Sequence, residues 1–122
     1  MISYSIEEDG IMEVVFTDEV SFKDIMEWLS EFSKIPDLPS KIHLIYDLRN
    51  ANLNLEMVKL IQVAKRTEEA TLKFERVRSV FILEESKYNT YSQLFSSLDT
   101  QRSTTRKVFC DEDKAIEWLF LD

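Results

Sequence analysis

The amino-acid sequence predicts an α/β fold in which a mixed sheet of about five strands is covered by four helices, in the order ββαβαβαβα. Asp9-Gly10 separates two runs of alternating apolar residues, which is typical of a β-hairpin because its tight turn needs residues that tolerate positive φ. Residues 41–48 and 77–83 are apolar at consecutive positions, as in strands buried on both faces. Between such runs apolar residues recur every three or four positions, as in helices that pack on a sheet.

The elements follow from local signals taken in chain order. The opening hairpin is predicted over about 2–8 and 11–17, and it is antiparallel, whereas strands joined by helices pair in parallel. Each helix is predicted to begin after a residue that can cap the free N–H groups of its first turn. These N-cap residues are Ser21, Asn54, Ser86 and Asp111.

The remaining boundaries come from the apolar spacing. The first helix is predicted to end near Lys34, and the second to span about 55–73 with Met57, Leu60, Ile61 and Ala64 on its buried face. The third helix carries Tyr88, Tyr91, Leu94, Phe95 and Leu98. A polar loop over 99–105 leads to a short strand at Lys107–Cys110, and the last helix buries Ala115, Ile116, Leu119 and Phe120.

Composition narrows the class of protein. The 122 residues, 44% apolar and 31% charged, fit one soluble domain over residues 1–122. The single glycine, Gly10, excludes glycine-rich phosphate loops. The single cysteine, Cys110, excludes an internal disulfide, and the single histidine, His43, excludes histidine-rich zinc sites. We therefore expect no cofactor and no metal.

The charge distribution bears on partners and compartment. The net charge of −8 disfavours nucleic acid, whose phosphates are bound by neutralising Lys and Arg. The bases gather in residues 41–110, which hold twelve basic and eight acidic residues. Neither a signal peptide nor a membrane-spanning apolar window is present, so we expect a cytoplasmic protein without a membrane span.

Several local sequences resemble a known family. They are Ile2-Ser3-Tyr4, Gly10, Ser21-Phe22-Lys23-Asp24-Ile25, Tyr46-Asp47-Leu48-Arg49, Phe95-Ser96-Ser97-Leu98 and Lys107-Val108-Phe109. In this order and spacing they resemble the STAS (anti-sigma-factor antagonist) fold. They are more closely similar to a largely uncharacterised bacterial family related to stage II sporulation protein AA, which is also connected with CRAL-TRIO lipid-binding domains. The resemblance covers essentially the whole chain and implies an STAS-like domain.

The resemblance also bears on regulation. STAS antagonists carry a phosphorylatable Ser or Thr just after the third strand. The corresponding stretch, 47–52, keeps Asp47, but no Ser or Thr follows before Thr67. The resemblance therefore implies regulation through protein contacts without the usual phosphoserine.

Candidate binding residues follow the ends of the central strands, because ligands of parallel sheets bind beyond the carboxyl ends of the strands. They are Asp47, Arg49, Asn50 and Asn52 after the third strand, and Ser86 and Lys87 after the fourth. An arginine among short polar side chains beside a helix N-terminus can hold a small anion. Alternatively, Asp47 and Arg49 form a structural ion pair and the other residues cap.

Three further features have two interpretations each. Tyr88, Tyr91 and Phe95 share a helix face, which either packs in the core or forms an aromatic patch for a partner or a dimer. His43 is either a general base or a structural histidine, and Cys110 is either a reactive thiol near a helix start or a structural one. No serine or cysteine motif accompanies His43, so no catalytic residue is predicted.

These observations lead to two hypotheses on function. The first is a non-catalytic cytoplasmic module that binds a regulatory protein or a second copy of itself, as a homodimer. The second is a carrier or sensor of a small apolar, lipid-like or anionic ligand, for which we expect an apolar cavity in the structure. An enzyme is not expected, since the sequence offers neither a nucleophile–base pair nor a metal set.

Overall fold

The structure, a computed structural model, describes residues 1–7, 9–87 and 104–121. In these ranges five strands form one sheet in the order β1-β2-β3-β4-β5. The strands are β1 (Ile2–Ile6), β2 (Ile11–Ser21), β3 (Lys41–Asn54), β4 (Arg76–Ile82) and β5 (Thr104–Phe109). The helices are α1 (Phe22–Lys34), α2 (Met57–Thr71) and α3 (Glu112–Leu119), and residues 85–87 are also helical.

The strand directions confirm the predicted mixed sheet. β1 and β2 are antiparallel, and every later neighbour pair is parallel. The turn between β1 and β2 is built as the sequence predicts, since Gly10 has φ +86° and its N–H donates to the Glu7 carbonyl at 3.0 Å. The Asp9 carboxylate accepts from the Ile11 N–H at 3.1 Å and fixes the start of β2.

The sheet buries side chains on both faces. One face of β3 contributes Ile42, Leu44 and Tyr46 to a core that includes α1 and residues near the end of α2, such as Ala70 and Phe74. A smaller core on the other face contains the buried residues Ile11, Ile45, Val80, Ile82, Ala115 and Leu119. Helices α1 and α2 therefore cover one face, and α3 covers part of the other.

Helix α1 begins with the capping arrangement that the sequence predicts. The Ser21 Oγ accepts from the Asp24 N–H at 3.2 Å, and the Asp24 carboxylate accepts from the Ser21 N–H at 3.0 Å. The backbone hydrogen bond from Ser21 is the main reason that the pKa of Asp24 is lowered. The helix then buries Ile25, Trp28, Leu29 and Phe32 at the expected spacing.

The carboxyl-terminal half of β3 differs from the prediction, which ended this strand at residue 48. β2 and β3 continue to pair from Thr17↔Asn50 to Ser21↔Asn54, after a bulge between Val15 and Thr17. Asn54 is consequently a strand residue and not the N-cap of α2. Glu56 occupies that position without a side-chain cap hydrogen bond. The backbone pairing of the two long strands outweighs the local capping preference of Asn54.

Three other predicted details are wrong. Glu84 supplies the carbonyl that accepts from the Lys87 N–H at 2.9 Å, so the helical stretch starts at residue 85 and Ser86 lies inside it. β5 begins at Thr104, within the predicted loop. Ile61 and Phe120 are 49% and 50% exposed, because Ile61 lies beside the core-facing Leu60 and Phe120 follows the last turn of α3.

The end of α3 is held by an arginine of the sheet. The Arg78 guanidinium donates to the carbonyls of Trp118 and Leu119, each at 3.2 Å, and to that of Leu121. It also lies 5.1 Å from the centre of the Trp118 ring. A cation at a helix C-terminus satisfies free carbonyls and interacts favourably with the helix dipole.

Within the described residues, no helix is long and apolar enough to cross a membrane.

The capping of α1 gives a first prediction. Replacing Ser21→Ala removes the acceptor for the Asp24 N–H, and we expect the free energy of unfolding to fall by about 1 kcal/mol. Ser33→Ala is the matched control, because its hydroxyl only bonds the Ser30 carbonyl within the same helix and alanine favours the helix interior. Urea denaturation checks both variants, and equal losses of stability would contradict the capping role.

The anchoring of α3 gives a second prediction. Arg78→Leu removes the donors to the helix end, and we expect a loss of about 1–2 kcal/mol in the free energy of unfolding. Arg76→Leu, two positions earlier on the same strand face and exposed, is the control and should change stability little. Thermal unfolding by circular dichroism distinguishes the two, and an unaffected Arg78→Leu variant would refute the anchor.

Candidate functional site

Asp47 and Arg49 form an ion pair on β3, the second of the two sequence-based alternatives for this pair. The Arg49 Nε and Nη2 donate to the two Asp47 carboxylate oxygens at 3.0 and 2.8 Å, and the Arg49 backbone N–H donates at 3.1 Å. Hydrogen bonds from the Arg49 side chain hold the pKa of Asp47 below its usual value. The pairing with Asp47 raises the pKa of Arg49 in turn.

Further carboxylates surround this pair. Glu112, in the first turn of α3, places a carboxylate oxygen 3.6 Å from the Arg49 Nη2. Burial and then the charges of Glu112, Glu7 and Asp47 raise the pKa of Glu13, against the opposing charge of Arg49. Among the described residues of this group, the acids outnumber the one arginine, so the charge of Arg49 is compensated and the group disfavours a bound anion. Within the described ranges, no cluster of side chains has the composition and spacing to hold a metal ion.

Asn52 and Lys87 meet in a second polar group, at the carboxyl ends of the strands. The Lys87 Nζ donates to the Ala51 carbonyl at 3.3 Å and to the Asn52 Oδ1 at 3.1 Å. The Asn52 Nδ2 in turn donates to the Glu19 carboxylate at 3.3 Å. These contacts tie the start of the helical stretch after β4 to the ends of β2 and β3.

The other predicted site residues fall into two sets. Asn50 and Ser86 are exposed, and no hydrogen bond in the described chain joins the Asp47–Arg49 pair to the Asn52–Lys87 group. Tyr88 and Tyr91, together with Phe95, lie outside the described residues. The predicted edge is therefore two polar groups, and a binding role for either one stays a prediction.

His43 and Cys110 are the one histidine and the one cysteine of the chain, and both lie in ordinary surroundings. The half-buried His43 ring packs edge-on against Phe120, with the ring centres 5.3 Å apart. Burial, and then the charges of Arg78 and Arg76, lower the pKa of His43, which favours the neutral ring. Cys110 is an exposed free thiol just before α3.

The sequence analysis did not place an apolar cavity of about 90 Å³ that lies between the sheet and helices α1 and α2. The described part of its wall comes from β2 to β5, both helices and the segment that joins β3 to α2. The large apolar and aromatic residues that line it include Phe16, Trp28, Leu29, Tyr46, Leu60 and Phe81.

A few polar side chains interrupt this apolar wall. Thr71 and Ser79 are only 3% and 4% exposed, and the Thr71 hydroxyl donates to the Thr67 carbonyl at 2.8 Å. Ser79 and Arg106 are register neighbours on β4 and β5, and both line the cavity. The sequence contains a signal for Ser79, because this polar residue lies between the apolar residues Val77 and Phe81 on the core face of β4.

Tyr46 and Trp28 carry the other polar atoms of the wall. Burial raises the pKa of the Tyr46 hydroxyl, and the nearby Trp28 indole and the charge of Arg106 oppose that rise. The Trp28 N–H is buried close to this hydroxyl, and it has no well-formed hydrogen bond to any residue that the structure describes. A buried donor without a partner is uncommon in folded proteins.

Comparison with known proteins supports the fold. No protein-family model matches the chain, and no curated protein matches it either. Among solved structures, the chain is similar to an uncharacterised protein of the DUF3478 family from Shewanella loihica PV-4, which has a SpoIIAA-like fold. The identity is 16%, the TM-score is 0.59, and the match covers 98% of this chain and 92% of the other. The chain therefore adopts a SpoIIAA-like fold.

Proposed function

We propose that this protein is a non-catalytic binding module that carries or senses a small apolar molecule in the cavity between its sheet and helices α1 and α2. The cavity of about 90 Å³, with its largely apolar wall, is the observation that carries the proposal. Protein interiors are normally close-packed, and an unfilled space of this volume costs roughly 2 kcal/mol of stability. A ligand that fills the space recovers that free energy, as benzene does in a somewhat larger engineered apolar cavity.

In this proposal the entrance of the cavity lies beside the predicted polar edge. Leu53 and Leu55, on either side of the end of β3, line the cavity and are only partly buried. Asn52, exposed and bonded to Lys87, directly precedes them. In this proposal the Asn52–Lys87 group flanks the mouth of the cavity, and the ligand itself contacts the apolar wall.

Occupancy of the cavity is the third prediction. Native mass spectrometry after mild purification should detect a bound small molecule, and addition of the neutral probe 1-hexanol should raise the melting temperature because the probe binds the folded chain only. Ala64, on the cavity wall, provides the test variant: Ala64→Leu fills space, and we expect it to abolish both effects without a loss of stability.

The control for this experiment is Gln62→Leu, which adds an apolar side chain at an exposed position of the same helix. It should leave the response to 1-hexanol unchanged. A bare polypeptide mass together with no response to 1-hexanol would refute the proposal, as would an equal response in the Ala64→Leu variant.

A second candidate function is the regulatory one, in which the chain binds a regulatory protein or a second copy of itself. The observation that favours it is an apolar pair one helical turn apart on α2, since Val58 and Ile61 are 63% and 49% exposed. Neighbouring exposed apolar side chains mark protein contacts more often than isolated ones do. The pair lies in the first turns of α2, close in sequence to the polar residues that end β3.

The regulatory candidate gives the fourth prediction. Ile61→Gln should shift a monomer–dimer equilibrium toward monomer in sedimentation velocity, or weaken retention of a specific host protein in a pull-down. Leu72→Gln is the matched control because Leu72 is 77% exposed at the other end of the same helix. A wild-type chain that stays monomeric at all concentrations and retains no specific protein would exclude this candidate.

A further inference from the structure

We infer that the outer edge of β1 binds an extended, basic segment of another protein, which adds to the sheet as a further strand. The lysine or arginine side chains of this segment lie beside the carboxylates of α1. This surface is open to solvent at the edge of the sheet, so the interaction goes beyond the proposed function and does not depend on a ligand in the cavity.

β1 is an edge strand with one row of backbone groups directed outward. It pairs with β2, and within the described residues no strand pairs with its other side. The Thr17 N–H donates to the Met1 carbonyl at 2.9 Å, and the Glu7 N–H donates to the Ile11 carbonyl at 2.8 Å. In an antiparallel pair alternate residues bond to the neighbouring strand, so the N–H and carbonyl groups of residues 2, 4 and 6 point away from β2.

The sequence of β1 does not protect this edge. Exposed edges often carry a proline, a lysine or a bulge that prevents pairing with another chain. β1 reads Ile-Ser-Tyr-Ser-Ile, and its pairing with β2 runs from Ile2↔Phe16 to Ile6↔Met12 without interruption. Tyr4 and Ile6 are 38% and 54% exposed, so an added strand also covers apolar side chains of β1.

A surface pocket of about 120 Å³ lies beside this edge, between β1 and α1. Ile2 and Trp28 line it, and Asp24, Glu27 and Glu31 are the acidic residues of its wall. These three acids recur at intervals of three and four residues, so they form one stripe along α1. Side chains of an added strand that face α1 lie about 4.8 Å beyond those of β1, beside this stripe.

Charge determines the kind of segment that fits the edge. Residues 1–40, which include the hairpin and α1, contain ten acidic and two basic residues, so the field at this edge is negative. Glu27 pairs with Lys23 at 3.9 Å, but both side chains are largely exposed, so this ion pair compensates the stripe only weakly. Basic side chains on the added strand therefore complement the stripe, whereas acidic side chains are repelled.

The same charges disfavour a second copy of this chain as the occupant. If two copies joined their β1 edges in the antiparallel manner, two-fold symmetry would place both α1 helices on the same face of the joined sheet. The two acidic stripes would then oppose each other across the new strand pair, and like charges so placed are unfavourable. The edge thus favours a partner that brings positive charge.

The test uses two blocked heptapeptides, Thr-Lys-Val-Lys-Val-Lys-Thr and Thr-Glu-Val-Glu-Val-Glu-Thr. Fluorescence anisotropy of the labelled peptides at low salt should show the lysine peptide binding about tenfold or more tightly than the glutamate peptide. At saturating lysine peptide, hydrogen exchange measured by NMR should slow at the amides of residues 2, 4 and 6. The amides of residues 3 and 5, which already bond to β2, should change less.

Two pairs of variants assign the binding to the edge and to the stripe. Tyr4→Pro removes an outward N–H without removing a bond to β2, and should weaken the lysine peptide about tenfold. Tyr4→Thr loses the same ring but keeps the N–H, and should retain most of the binding. Glu31→Gln should weaken binding about threefold, as for a partly exposed ion pair. Glu117→Gln removes the same charge from an exposed position of α3 and should have no effect.

The outcomes distinguish this surface from the cavity. Equal binding of the two peptides, or binding of neither, would overturn the assignment of a basic partner, while 1-hexanol tests the cavity separately. Binding without slower exchange at residues 2, 4 and 6 would show adsorption by charge alone and would overturn strand addition. A wild-type dimer that Tyr4→Pro abolishes would identify a second copy as the occupant instead. The wild-type exchange measurement decides even if Tyr4→Pro does not fold.

Discussion

The long parallel pairing of β2 with β3 is the constraint on which the rest of the structure depends. It runs from Ile11↔His43 to Ser21↔Asn54, through a bulge between Val15 and Thr17. At its start it joins the hairpin to the central strand, and at its end it brings Ser21 to the capping position of α1. It also carries β3 past Asp47 and Arg49 to the leucines that line the cavity. The fold and both polar groups are thus arranged around one pair of strands.

Signals confined to a few neighbouring residues were predictable from the sequence. The turn at Gly10 and the caps Ser21 and Asp111 each depend on one residue and its immediate neighbours, and the structure confirms all three. The predictions that fail concern residues whose local structure is determined by segments far away in the sequence. Asn54 has a good capping side chain, but pairing with Ser21, far away in the sequence, makes it a strand residue. No local pattern contains that information.

The candidate site likewise contains some contacts that local sequence predicts and others that depend on the fold. The Asp47–Arg49 ion pair was one of two interpretations of a local motif. The structure shows this ion pair, with two hydrogen bonds from the Arg49 guanidinium to the Asp47 carboxylate. Arg49 contacts Glu112, and Lys87 contacts Asn52. Each contact joins segments that are far apart in the sequence, so the spacing of residues alone could not predict it. The cavity depends on even more of the fold, because the described part of its wall comes from two helices and four strands. Only the polar Ser79 on an apolar strand face gave a local hint of it.

The sheet separates two cores of different size, and this has a consequence for local motion. α3 rests on a small cluster around Ile45, Val80 and Ile82 and on the carbonyl contacts of Arg78, whereas α1 and α2 share the larger core. Segments with few buried contacts open more readily than the whole chain unfolds. The amides of α3 should therefore exchange with deuterium before those of β2 and β3. The protein can then loosen one face of its sheet while the face with the cavity stays closed.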